Sequence, residues 1–205
     1  MRIGVVLVGA AVAVAAVLGL MQLSGVFEAS PPQANAPAPA ATRLNNRVIV
    51  VTDDSVAASI ARGNPVLDAA LAALESELRR SGFEVHDGRA IPVTNSALGN
   101  ERRSDAEIVA LARRPQPVDA VVLFTLLTVQ EFTIQAQNAG IRGTTRVLRA
   151  SDGGDLGHAD WASPQRWTLP YACDRACLIE ATVTEAPTVG TTIGERLAAT
   201  LREAR

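Results

Sequence analysis

Residues 120–136 read AVVLFTLLTVQEFTIQA, a mainly apolar stretch at 120–127 that passes into alternating polar and apolar side chains. The apolar stretch predicts a strand that is buried on both faces. The alternation through Phe132 and Ile134 predicts that the strand continues with one face in water. Asn-Ala-Gly at 138–140 offers turn residues and residues 144–150 alternate again, so we expect a long β-hairpin.

Upstream of this hairpin, the sequence predicts a strand, a helix and a second strand. Val48–Val51 is a short β-branched run, which favours a buried strand. Asn64 and Pro65 have the chemistry of a helix start, and Gly82 that of a helix end. Residues 83–86 then return as a strand. The helix between carries one apolar stripe, formed by Leu67, Leu71, Leu74 and Leu78.

Further helices and turns complete the pattern. Residues 92–103 are expected to form a loop, after which Ser104 and Glu107 predict a capping box for a second helix. Ser-Asp-Gly-Gly at 151–154 predicts a turn, and residues 166–169 a short strand. A last helix is predicted from a Thr192/Glu195 capping box, with an inward face of Ile193, Leu197 and Leu201.

These elements predict a mixed α/β (α+β) domain in the order β-α-β-α-β-β-(β)-α. We expect about four to five strands in one partly antiparallel sheet and about three helices. The domain occupies residues 46–205, which is a suitable length for one hydrophobic core.

The first residues predict a membrane anchor. Residues 3–23 carry no charge, and about 20 apolar helical residues span the hydrocarbon core of a bilayer. Arg2 precedes this segment and Glu28 is the first charge after it, which predicts an N-terminus in the cytoplasm. We therefore expect an anchor at 1–27, a Pro/Ala-rich linker at 28–45 and a periplasmic domain on a single-pass inner-membrane protein. Cleavage of a signal peptide, which releases a soluble periplasmic protein, is the alternative.

Several segments together resemble a group of bacterial envelope domains. They are Gly-Phe-Glu-Val at 82–85, Asp-Ala-Val-Val at 119–122 and Arg-Val-Leu-Arg-Ala-Ser-Asp-Gly-Gly at 146–154. In this order they resemble the N-terminal domain of TolB, the curli secretion protein CsgG and the middle domain of the flagellar protein FlgT. The resemblance implies a non-enzymatic periplasmic module that docks on partner proteins, and it carries over no functional residue.

Cys173 and Cys177 are the only two cysteines. An even number on the exported side of a membrane favours a disulfide, which we expect in a loop or at a helix end. The alternative is thiol–disulfide or metal-transfer chemistry with this Cys-x-x-x-Cys pair, for which His86 and His158 would complete a Cys2His2 metal site. We expect His86 at the end of a strand on the surface and His158 in a loop.

Composition excludes several classes of function. All 19 basic residues are arginine, so lysine-dependent phosphate binding and Schiff-base chemistry are excluded. A net charge of −2 argues against nucleic-acid binding. The chain has no complete catalytic motif, and we expect neither enzymatic activity nor a cofactor or metal. Asp53 and Asp54 are interpreted as turn residues.

The leading hypothesis is a membrane-anchored periplasmic module that recognises another envelope protein and supports the assembly or positioning of a complex. A homo-oligomer is a further expectation, because Ala11, Ala15 and Gly19 form a ridge of small residues on the anchor. The candidate contact residues are Phe132, Ile134, Arg146, Trp161 and Trp167. A small-ligand sensor is a third hypothesis.

Overall fold

A mixed β-sheet with helices on both faces organises the part of the chain that the computed structural model describes, residues 45–132, 137–163, 167–170 and 172–204. The helices are α1 (Pro65–Arg80), α2 (Asp105–Ala112), α3 (Arg175–Val183) and α4 (Ala186–Glu203). The strands are β1 (Arg47–Thr52), β2 (Glu84–Asp87), β3 (Thr94–Asn95), β4 (Glu101–Arg102), β5 (Ala120–Phe132), β6 (Gln137–Arg149), β7 (Asp155–Ala162) and β8 (Trp167–Leu169).

The sheet has the strand order β2-β1-β5-β6-β7, and β8 pairs with the first residues of β6. Strand β1 runs parallel to its two neighbours β2 and β5, whereas β6, β7 and β8 are joined to the sheet by antiparallel pairing. This arrangement confirms the predicted mixed sheet, but the sheet has six strands and the described residues form four helices.

Two apolar clusters fix the helices on the two faces. Successive side chains of a strand point to opposite faces. Val48 and Val50 of β1 therefore belong to the larger cluster, beneath α1 and α4. Ile49 and Val51 belong to the smaller cluster, beneath α2.

The helix starts follow the predicted chemistry in two of three cases. The Asn64 side chain accepts a hydrogen bond from the Val66 N–H at the start of α1. Ser104 and Glu107 form the full capping box of α2. The third prediction was wrong, because α4 begins at Ala186 and Thr192 lies inside it, with its hydroxyl bonded to the Thr188 carbonyl.

Three further predictions were wrong. Residues 138–140 are not a turn, because they pair with Glu131, Gln130 and Val129 inside the hairpin. The loop at 92–103 contains the small β3–β4 ladder and a 3-10 turn. His158 lies in β7, a strand that the sequence analysis did not predict, and α3 was not predicted either.

No helix within the described ranges is long and apolar enough to cross a membrane. The predicted anchor at residues 3–23, and the linker as far as residue 44, lie outside these ranges, so both stay predictions. Ile134 also lies outside them.

Candidate functional site

The β5–β6 hairpin extends beyond the end of the neighbouring strand β1. β1 ends at Thr52, opposite Phe124, whereas β5 continues to Phe132. On the α2 side of the sheet, α2 packs with Val121, Leu123 and Leu148, near the base of the hairpin. The side chains beyond form what we call the open face: Thr125, Leu127 and Val129 on β5, Arg142, Thr144 and Arg146 on β6, and His158, Asp160 and Ala162 on β7.

Charged side chains join the start of α2 to this open face. Arg102 donates from Nε to Asp53 Oδ2 at 3.1 Å and from Nη2 to Asp105 Oδ1 at 3.0 Å. The Nη2 atom of Arg146 donates to Asp105 Oδ2. Its Nε lies 3.2 Å from Asp155 Oδ2, an ion pair without hydrogen-bond geometry. The result is a continuous chain of alternating carboxylates and guanidinium groups.

Asp105 is the central carboxylate of this chain. Its partial burial acts to raise the pKa, but hydrogen bonds from Arg146 and Arg102 and the charges of both outweigh burial and hold the pKa below its usual value. Asp105 therefore stays ionised and keeps both arginines in place.

Asp53 lies directly after β1 and is 8% exposed. Its Oδ1 accepts from the backbone N–H and the hydroxyl of Ser55, which confirms the predicted turn chemistry. Its other oxygen binds Arg102. The neighbouring Asp54 instead forms an ion pair with Arg62 at 2.9 Å.

A shallow cleft of about 320 Å³ lies where β5 and β6 pass the ion-pair chain. Asp53, Arg102, Thr144 and His158 are among its lining residues. Its position at the carboxyl end of β1 is one where α/β sheets often bind ligands. However, its arginines are already paired with carboxylates, and the hydrogen bonds of the described residues include no Ser–His or Cys–His pair. The carboxylates therefore hold both arginines of the cleft in place.

The structure separates the predicted contact residues. Arg146 lies on the open face, whereas Trp161 and Trp167 are half-buried and pack against the cluster beneath α1 and α4. Phe132 is the last residue of β5, and its side chain is not among the described parts of the structure. Ile134 lies wholly outside the described residues. The predicted contact residues whose side chains the structure describes therefore do not form a single surface.

Cys173 and Cys177 form a disulfide, as predicted. The bridge spans the start of α3, whose cap is Asp174, with its Oδ1 accepting from the Cys177 N–H at 2.9 Å. His86 lies on β2 and His158 on β7, which are the first and last strands in the order β2-β1-β5-β6-β7. The described residues include no group of three or more side chains suited to a metal ion.

Sequence reasoning missed Arg102, Asp105, Arg142 and Thr144. One signal was present, because Arg142, Thr144 and Arg146 alternate with apolar or small residues along β6, a pattern typical of a strand with one polar face.

Comparison with solved structures gives low-identity similarities of fold. A Xanthomonas campestris protein of family DUF330 has 12% identity over 82% of this chain and 92% of its own, with a TM-score of 0.46. PelC from Paraburkholderia phytofirmans, a dodecamer, has 15% identity over 75% and 91%, with a TM-score of 0.41. Lipoprotein GNA1162 from Neisseria meningitidis has 13% identity over 70% and 96%, with a TM-score of 0.38.

At these identities and TM-scores the similarity is a partial one of fold. These three bacterial proteins are not the TolB, CsgG or FlgT domains that the sequence suggested, so that specific resemblance stays a prediction. No protein-family model matches the chain. No curated protein matches it.

Proposed function

We propose that this chain is a membrane-tethered, non-enzymatic protein of the bacterial cell envelope whose α/β domain docks on another envelope protein through the open face. The tether is the apolar segment at residues 3–23, and the linker at 28–45 holds the domain away from the bilayer. In this role the domain supports the assembly or positioning of an envelope complex.

The composition of the open face in its part furthest from α2 is the observation that carries the proposal. Leu127 of β5 stands opposite Arg142 of β6, which stands opposite Ala162 of β7. Leu127 and Val129 are half-buried, whereas Arg142 is exposed and has no acidic partner among the described residues. Apolar side chains around one free guanidinium are typical of an interface centre, where arginine is a frequent anchor.

The rigidity of the open face also favours a role in docking. The ion-pair chain from Asp53 to Asp155 ties the open face to α2, and the β5–β6 ladder is continuous from Ala120 to Phe132. A preformed surface loses little conformational entropy when it binds. We expect the partner to present a carboxylate to Arg142 and apolar side chains to Leu127.

In-cell photo-cross-linking tests this proposal. A photoreactive amino acid replaces Val129, which lies beside Arg142 on the open face, in one variant and Arg113, an exposed residue at the end of α2, in another. We expect the first variant to form one discrete adduct with an envelope protein and the second to form none. The same adducts from both positions, or none from Val129, would contradict docking through this face.

The charge of Arg142 gives a second test. Arg142→Glu should weaken capture of the partner identified by cross-linking, because it places like charges together, whereas Arg113→Glu should leave capture unchanged. Equal capture by both variants would show that the guanidinium is not an anchor.

The rival function is thiol–disulfide or metal transfer by Cys173 and Cys177. Its supporting observation is the position of the pair at the start of a helix, where reactive cysteines are often found. The reduction potential of the bridge separates the two functions.

A further inference from the structure

The outer edge of β7 has no strand partner among the described residues. β7 ends the strand order of the sheet, and β8 pairs with β6 instead. His158 and Asp160 are exposed on this edge strand. An edge of eight residues is long enough to accept another strand.

The pairing with β6 shows which backbone groups point outward. In an antiparallel ladder, residues alternate between those that face the partner strand and those that face away. The N–H and C=O of Ala159 both contact the Thr145 hydroxyl of β6, so Ala159 faces inward. His158 and Asp160 therefore direct their backbone N–H and C=O groups outward.

One side chain covers part of this edge. Arg196 of α4 donates to the outward carbonyl of Asp160. Arg196 is itself exposed, so an incoming strand can replace this single hydrogen bond with a backbone one.

We propose that β7 pairs antiparallel with β7 of a second copy of this chain, about a two-fold axis through Ala159. In this register His158 of each copy lies opposite Asp160 of the other. The backbones of each pair exchange two hydrogen bonds, and the imidazole donates to the carboxylate. The inference goes beyond the proposed function, because it uses the edge of the sheet rather than the open face.

The charges of His158 and Asp160 select this register. An axis through Asp160 would place the two Asp160 carboxylates opposite each other, whereas the axis through Ala159 separates them and pairs each with a histidine. The strand is thus complementary to itself in one register.

A charge exchange tests the interface. We expect the full-length chain, purified in mild detergent, to sediment as a dimer. His158→Asp should raise the dissociation constant about tenfold or more, because it opposes two pairs of carboxylates. His158→Asp/Asp160→His exchanges the partners and should restore the dimer, which excludes misfolding as the cause. A monomeric native chain, or a double variant as weak as the single one, would overturn the proposal.

Cysteine cross-linking tests the register. A mixture of His158→Cys and Asp160→Cys chains should form a covalent dimer under mild oxidation faster than either chain alone, while Cys173 and Cys177 stay paired with each other. Faster cross-linking of Asp160→Cys alone would show that the two strands pair in a different register. The absence of a cross-link in every sample would exclude β7 as the interface between two copies. Neither result bears on capture of an envelope protein through Arg142, so the two proposals can fail separately.

Discussion

The guanidinium of Arg146 in β6 donates a hydrogen bond to the carboxylate of Asp105, the first residue of α2, across 41 positions of sequence. This contact joins the only helix that the described residues place on the α2 side of the sheet to the strand that forms the middle of the open face. Its loss would affect both the stability of the domain and the orientation of Arg146.

The low pKa of Asp105 predicts acid sensitivity. A carboxyl group whose folded pKa lies below its unfolded value stabilises the fold above the unfolded pKa, and this contribution is lost as the pH falls through the folded pKa. Asp105→Asn should therefore cost about 1 kcal/mol near neutral pH and less in acid. Urea unfolding at about pH 7 and about pH 3 measures the difference. A cost for Asp105→Asn that is equal at both pH values would contradict this role.

Two adjacent aspartates offer a matched comparison. Asp53 is buried and binds both the Ser55 backbone and Arg102, whereas Asp54 is part of a more exposed ion pair with Arg62. Asp53→Ala should cost about 2 kcal/mol, because it removes a buried carboxylate that accepts hydrogen bonds from Ser55 and Arg102. Asp54→Ala should cost less than about 1 kcal/mol. Equal losses in chemical denaturation would show that the Asp53 contacts add nothing to stability.

The contact between α1 and α4 depends on Gly190. A Cβ atom at this position would lie 2.0 Å from the Ala70 carbonyl oxygen, which belongs to the backbone of α1. Gly190→Ala should therefore push the helices apart and cost about 2 kcal/mol or more. Thr188→Ala, at an exposed position of the same helix, should change stability by less than about 0.5 kcal/mol. Thermal unfolding of both variants checks the prediction, and an unchanged melting temperature for Gly190→Ala would refute it.

Local chemistry made much of the fold predictable. The cap at Asn64, the capping box at Ser104 and the apolar run of β5 each act within a few residues, so they identified α1, α2 and the hairpin correctly. The start of α4 failed for a physical reason. Glu185 gives no side-chain cap, and the packing of α4 against α1 extends the helix past the local Thr192 signal.

The unpredicted features depend on contacts between distant residues. β7 has little apolar alternation and contains Gly157 at a φ of 139°, so its pairing with β6 is set by the tertiary fold. The ion-pair chain also depends on contacts between distant residues, since Arg102 lies 49 residues from its partner Asp53. Sequence alone predicted Arg146 as a candidate contact residue, but it contained no sign that Arg146 binds Asp105 and Asp155.

The position of the disulfide predicts a structural role. Asp174 occupies the cap of α3 and binds the Cys177 N–H, so the helix N-terminus is not free to stabilise a thiolate. Cys173→Ser/Cys177→Ser should cost about 2 kcal/mol, the value expected for closing so short a loop. Capture of the envelope partner through Arg142 should not change. The bridge should have a reduction potential below roughly −300 mV, as structural disulfides do. A higher potential, together with mixed disulfides in cells that the double variant does not form, would instead make thiol exchange the function of this protein.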